Sequence, residues 1–97
     1  MKKFILAITL VMASTAAFAQ EQTPCENVQE LAFTIMKVRQ SGVPMVKMYK
    51  VAKGEKAVEQ MVIAAYDMPQ FNTESIKQRT IQDFADNMFL QCVKQQG

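Results

Sequence analysis

Cys25 and Cys92 are the two cysteines of the chain, and they stand near opposite ends of everything that follows residue 19. Whether they pair decides how the rest can be arranged. Pairing needs an oxidising compartment, and the start of the chain gives a reason to expect one. Lys2 and Lys3 form a short positive n-region, Phe4 to Met12 an apolar h-region, and Ala17-Phe18-Ala19 an A-x-A cleavage site ahead of Gln20. The apolar stretch is short for a bilayer span, which needs about 20 residues, and it ends in small residues without a charged stop-transfer flank. A lipoprotein signal would place a cysteine at the cleavage point, whereas Cys25 follows Gln22-Thr23-Pro24. The reading is a cleaved signal peptide over 1–19 and a single domain over 20–97. It implies a periplasmic or secreted location, with no stable membrane anchor after cleavage.

The charge balance changes once the signal is set aside. Lys plus Arg number 11 and Asp plus Glu 9 in the full chain. Lys2 and Lys3 account for the difference, so residues 20–97 are formally neutral. A general attraction to nucleic acid or to anionic membrane loses its support, and no nucleic-acid partner is expected. A domain of this size buries only about 60–65% of its unfolded surface, so extra constraint is expected. A Cys25–Cys92 disulfide would close nearly the whole domain into one loop, worth about 4 kcal/mol on a chain-entropy argument. Two buried free thiols are the alternative.

Proline, glycine and polar capping residues divide the domain into four helical segments. Thr23-Pro24-Cys25-Glu26 reads as a helix start, with Thr23 as N-cap, Pro24 at N1 and Glu26 completing a capping box. Val28, Leu31, Ala32, Ile35 and Met36 recur at helical spacing. Gln40-Ser41-Gly42 ends the segment, with Gly42 as its left-handed C′ residue. Pro44 restarts a helix at its own N1 position, with Met45, Met48, Tyr49 and Ala52 on one face and Lys47 and Lys50 on the other. Lys53-Gly54 closes or kinks it. A third helix is predicted over about 55–66, with Val58, Met61, Val62 and Ala65 as its stripe. After Asp67-Met68-Pro69, Asn72 or Thr73 caps a fourth helix reaching about residue 94, with Ile81, Phe84, Ala85, Met88 and Cys92 on one face.

No segment alternates convincingly with period two, so the fold class is all-α, a small bundle of about four helices. With Cys25 in the first turn of the first helix and Cys92 in the last turn of the fourth, a bond between them makes those helices antiparallel neighbours. Stepping inward from the bond pairs Val28 with Met88, Ala32 with Ala85, and Ile35 or Met36 with Ile81. Facing alanines would let the axes approach toward about 8 Å.

The chain has no histidine, which removes Ser-His-Asp and Cys-His nucleophiles and every His-based metal site. Disulfide formation would leave no thiol nucleophile, and no Gly-rich phosphate loop exists. Glu26/Glu30 and Glu55/Glu59 are i,i+4 carboxylate pairs, an arrangement far more common on solvated helix surface than at a metal. Met45-x-x-Met48 offers two thioethers of the kind that Cu(I) favours, against the simpler use of methionine to fill an irregular core. We expect no enzyme, no cofactor and no metal site.

Between Lys37 and Lys56 stand Lys37, Arg39, Lys47, Lys50, Lys53 and Lys56, against the single acid Glu55. The second helix is therefore a basic segment with Met45, Val46, Met48, Tyr49 and Val51 among its lysines. Lys47, Lys50, Lys53 and Tyr49 are candidate partner-binding residues, a docking surface for an acidic partner or for phospholipid headgroups, the plainer account being a solvated amphipathic helix. Tyr66 and Phe71, flanking the break at Pro69, are a second candidate surface of the kind that anchors protein interfaces. Packing of the corner between the third and fourth helices is the plainer account there.

The opening Cys25-Glu26, the stretch Arg39-Gln40-Ser41-Gly42-Val43-Pro44-Met45, the stretch Ala64-Ala65-Tyr66-Asp67-Met68-Pro69, then Thr73-Glu74 and a closing helix with Phe84 and Cys92 form a pattern. It resembles a loose group of small exported helical proteins of Gram-negative bacteria and their prophages. The resemblance implies the fold, the disulfide and the compartment, and it implies no activity. In build alone the chain is also similar to the acid-stress chaperones of the enteric periplasm. The functional expectation is a non-enzymatic module that binds an unknown protein in the envelope. The alternative is a chaperone-like envelope stress protein, unmasked as acid protonates its carboxylates.

Overall fold

The computed structural model describes residues 24–96. The expected signal peptide over 1–19 and the capping role of Thr23 lie outside the described residues. The four helices are α1 (Pro24–Gln40), α2 (Met45–Ala52), α3 (Lys56–Asp67) and α4 (Glu74–Gln96), and no strand occurs among the described residues. Each boundary has a local cause. At the end of α1 the Gly42 amide donates to the Arg39 carbonyl at 3.1 Å and the Val43 amide to the Val38 carbonyl at 3.4 Å. That pair of bonds is a Schellman closure, and Gly42 takes the left-handed backbone it requires, φ 91°.

Pro44 differs from expectation. It is the N-cap residue of α2, extended at φ −62° and ψ 144°, and the helix proper begins at Met45. Val43 ahead of it has no side chain that could cap, so the helix opens instead on the Pro44 carbonyl, which accepts from the Lys47 amide at 3.1 Å. Likewise Glu55 is the extended N-cap of α3, without a side-chain cap. The carboxylate that serves this turn comes from inside the helix, where Glu59 accepts the Gly54 amide at 2.8 Å. At the start of α4 the Thr73 carbonyl accepts the Lys77 amide at 2.9 Å, which makes Thr73 the N-cap residue.

Cys25 and Cys92 are joined in a disulfide with their Cα atoms 5.5 Å apart, and α1 and α4 pack against each other more extensively than any other pair. They run antiparallel. Ala32, Ile35 and Met36 of α1 and Ile81, Phe84 and Ala85 of α4 are buried together with Met61, Val62 and Ala65 of α3 and Ala52 of α2. The alanines expected to face each other, Ala32 and Ala85, are both fully inaccessible. Val28 and Met88 are partly buried at the margin of the same core.

The stripes are covered unevenly. Leu31, expected inside, is 37% exposed, because the apolar arc of α1 is wider than the surface its neighbours cover. α2 packs chiefly on α3, and Ala52 is its one buried residue. The second helix therefore stands as an outrigger on a three-helix layer, with α2 and α3 forming a hairpin around Gly54.

Candidate functional site

Two surfaces were singled out from the sequence, and the structure uses them differently. The corner around Tyr66 is a polar clasp that holds the fold. Arg39, near the end of α1, donates from Nε and Nη2 to the Met68 carbonyl at 3.1 and 2.9 Å. Its guanidinium also lies over the Tyr66 ring, 5.0 Å from the centroid. The Tyr66 hydroxyl donates to the Val43 carbonyl at 2.7 Å. Burial pushes the Tyr66 hydroxyl above its ordinary value, and the charge of Arg39 works against that shift.

Gln40 completes the clasp. It is 1% exposed. Its Nε2 donates to the Pro69 carbonyl at 3.0 Å, while its Oε1 accepts the Phe71 amide at 2.9 Å. One side chain thus satisfies two backbone groups of the α3–α4 connection, as buried polar groups require. The Gln40 carbonyl accepts from Lys77 Nζ at 2.9 Å. The stretches 39–45 and 64–69 therefore meet in space, with Tyr66 and Phe71 both partly buried where they do. Gln40 was missed in the sequence, although it follows Met36 by four residues and so continues the buried stripe of α1.

The second surface is open. Met45, Val46, Tyr49, Lys50 and Lys53 of the α2 arm line a shallow groove with Ile63 of α3, of about 740 Å³. Positions 45 and 49 and positions 46 and 50 follow i,i+4 spacing, so the groove side of α2 is one helical face, and Lys53 is the C-cap residue just past its end. Val46 is 61% exposed and Ile63 42%. Tyr49 is steadied by Glu59, with its hydroxyl 3.4 Å from Oε1.

Three of the residues chosen from the sequence, Tyr49, Lys50 and Lys53, therefore lie together on this groove. Lys47 is exposed on the outer face of α2 beside Val51, which is 79% exposed. Tyr66 and Phe71 belong to the clasp. Ile63 was missed, and its signal was an apolar residue out of phase with the stripe formed by Val58, Met61, Val62 and Ala65. The two methionines considered as a thioether pair part company: Met45 lines the groove, whereas Met48 packs against the core.

Among the described residues no group of three or more His, Cys, Asp or Glu is placed to hold a metal ion, and no helix is long and apolar enough to cross a membrane. Compared with protein-family models, with curated proteins and with solved structures, the chain matches none.

Proposed function

We propose that the protein is a small non-enzymatic binding module of the periplasm or the secreted fraction, and that it engages another protein through the α2–α3 face. The observation that carries this reading is the groove, an apolar floor of Met45, Val46, Tyr49 and Ile63 edged by Lys50 and Lys53. Large apolar side chains left exposed together and bordered by charge are the usual character of an interaction surface. The remainder of the domain supplies a fixed base. The disulfide ties one end of α1 to α4, and the Gln40 clasp ties the other end to the α3–α4 connection.

The test is site-specific photocrosslinking in producing cells, with the reactive group at position 46 and a control at the exposed Gln91 on α4. A discrete adduct from position 46, missing from position 91, is the expected result. The same adducts from both positions, or none from 46, would sink the reading. A broad spread of adducts from position 46, growing as the medium is acidified, would favour a chaperone-like role instead. Fractionation of the same cells, with the mass of the recovered protein, checks the compartment: export and cleavage ahead of Gln20 predict a periplasmic or external species beginning there.

A further inference from the structure

We infer that the occupant of the α2–α3 groove is an amphipathic helix of acidic character, which lays an apolar ridge between α2 and α3 and sets its carboxylates against Lys50 and Lys53. This inference rests on the protein-binding reading above and adds the chemistry of the partner. The groove is polarised along its length. The hairpin is tied by Tyr49 to Glu59 and by Tyr66 to Val43, which puts Met45, Val46 and Ile63 at one end and Lys53 at the turn. Of the two acids beside the turn, Glu55 is exposed as the N-cap residue of α3 and is not among the residues that line the groove, and Glu59 is engaged within the protein by the Gly54 amide and the Tyr49 hydroxyl. The charges presented along the groove face of α2 are those of Lys50 and Lys53, both exposed.

The shape of the site selects among anionic partners. An amphipathic helix presents apolar side chains at i, i+3, i+4 and i+7, and such a ridge suits a shallow trough between two helices. A bilayer surface needs instead one convex apolar face along a helix. α2 does not offer that. It has eight residues, about 12 Å of helix at 1.5 Å per residue, and its two most exposed apolar residues, Val46 and Val51, lie on different sides of it. Lysines flanking an apolar trough also raise encounter rates with an acidic partner and reject a basic one.

The experiment uses the disulfide-bonded protein and three synthetic helical peptides that share one leucine ridge and differ in their flanking residues, which are Glu, Gln or Lys. Binding is followed by fluorescence anisotropy. The Glu peptide is expected to bind about five-fold or more tighter than the Gln peptide, as two partly exposed charge pairs would give, and the preference should shrink as salt is added. The double variant Lys50→Glu/Lys53→Glu should reverse the order in favour of the Lys peptide. Lys94→Glu, on the exposed end of α4, should leave the order unchanged, and circular dichroism confirms that each variant folds. Equal binding of the three peptides, binding of none, or an order untouched by the double reversal overturns the inference. Stronger retention on vesicles of phosphatidylethanolamine and phosphatidylglycerol than on any peptide overturns it in favour of a lipid surface. A discrete adduct from position 46 together with indifferent peptides would remove the acidic helix while the protein-binding reading stands.

Discussion

Lys77 Nζ donates to the backbone carbonyl of Gln40 at 2.9 Å, and this contact mirrors the disulfide at the other end of the same helix pair. Gln40 is fifteen residues beyond Cys25 on α1, and Lys77 is fifteen residues before Cys92 on α4. The two helices therefore keep one antiparallel register from end to end. A covalent bond fixes it at one end, and an ammonium at the carbonyl terminus of α1 fixes it at the other. Cationic groups are favoured at that end of a helix because its last carbonyls point outward unpaired.

The Gln40 side chain is the element whose loss the fold should feel most at the Lys77 end. Gln40→Leu keeps a bulky side chain but strands the Pro69 carbonyl and the Phe71 amide. Leaving two part-buried backbone groups unsatisfied should cost about 2–4 kcal/mol. Urea unfolding followed by circular dichroism measures this directly. A loss below about 1 kcal/mol would mean that the clasp contributes little to stability.

Removing the disulfide should act at the opposite end. The paired variant Cys25→Ala/Cys92→Ala is expected to lose about 2–4 kcal/mol, and reductant should lower the unfolding midpoint of the natural protein toward that of the variant. Lys77→Met tests the non-covalent end of the register and should cost about 1.5–2 kcal/mol, the lower part of the range for a hydrogen bond with a charged donor. A larger loss from Lys77→Met than from the disulfide variant would show that the ammonium, and not the covalent bond, holds the register more firmly.

The parts of this fold that were legible in the sequence were those set by local chemistry or by a covalent constraint. Pro24, Gly42, Gly54 and Pro69 punctuate four helices, and Cys25 with Cys92 names which two are neighbours. Lys47, Lys50, Lys53 and Tyr49 stood out because α2 concentrates one sign of charge over a few residues. Ile63 did not, because an apolar residue off the stripe of α3 acquires meaning only once α2 lies beside it. Leu31 misled for the complementary reason. Periodicity reports which side of a helix is apolar, and the neighbours decide how much of that side is covered. Gln40 was opaque because a glutamine at a core position is tolerable only where backbone groups of another segment converge on it.

The two glycines in turns separate conformational strain from crowding. Gly42 and Gly54 both have positive φ, 91° and 100°, so an alanine at either should cost about 1 kcal/mol for the backbone alone. A Cβ at Gly42 would also meet Gln70 Nε2 at 3.3 Å, whereas nothing lies within 4 Å of one at Gly54. Gly42→Ala should therefore lower the melting temperature more than Gly54→Ala. Equal shifts would show that the Gln70 side chain yields freely.

Tyr66 gives the clasp a pH dependence of definite sign. Its hydroxyl titrates above the ordinary value in the folded protein, because burial disfavours the phenolate, with Arg39 opposing. The unfolded chain ionises first, near pH about 10, so the contribution of this group is fully present below that point. It is lost as pH rises through the higher folded value. Tyr66→Phe removes both the titration and the bond to the Val43 carbonyl, which is worth about 1 kcal/mol at neutral pH. Tyr49 and the lysines are common to both proteins, so the difference between the two denaturant midpoints isolates Tyr66. That difference should be largest near neutral pH and should close as the pH passes about 10. A gap that stays constant or widens with alkalinity would show that the hydroxyl is not held in the protonated form by the fold.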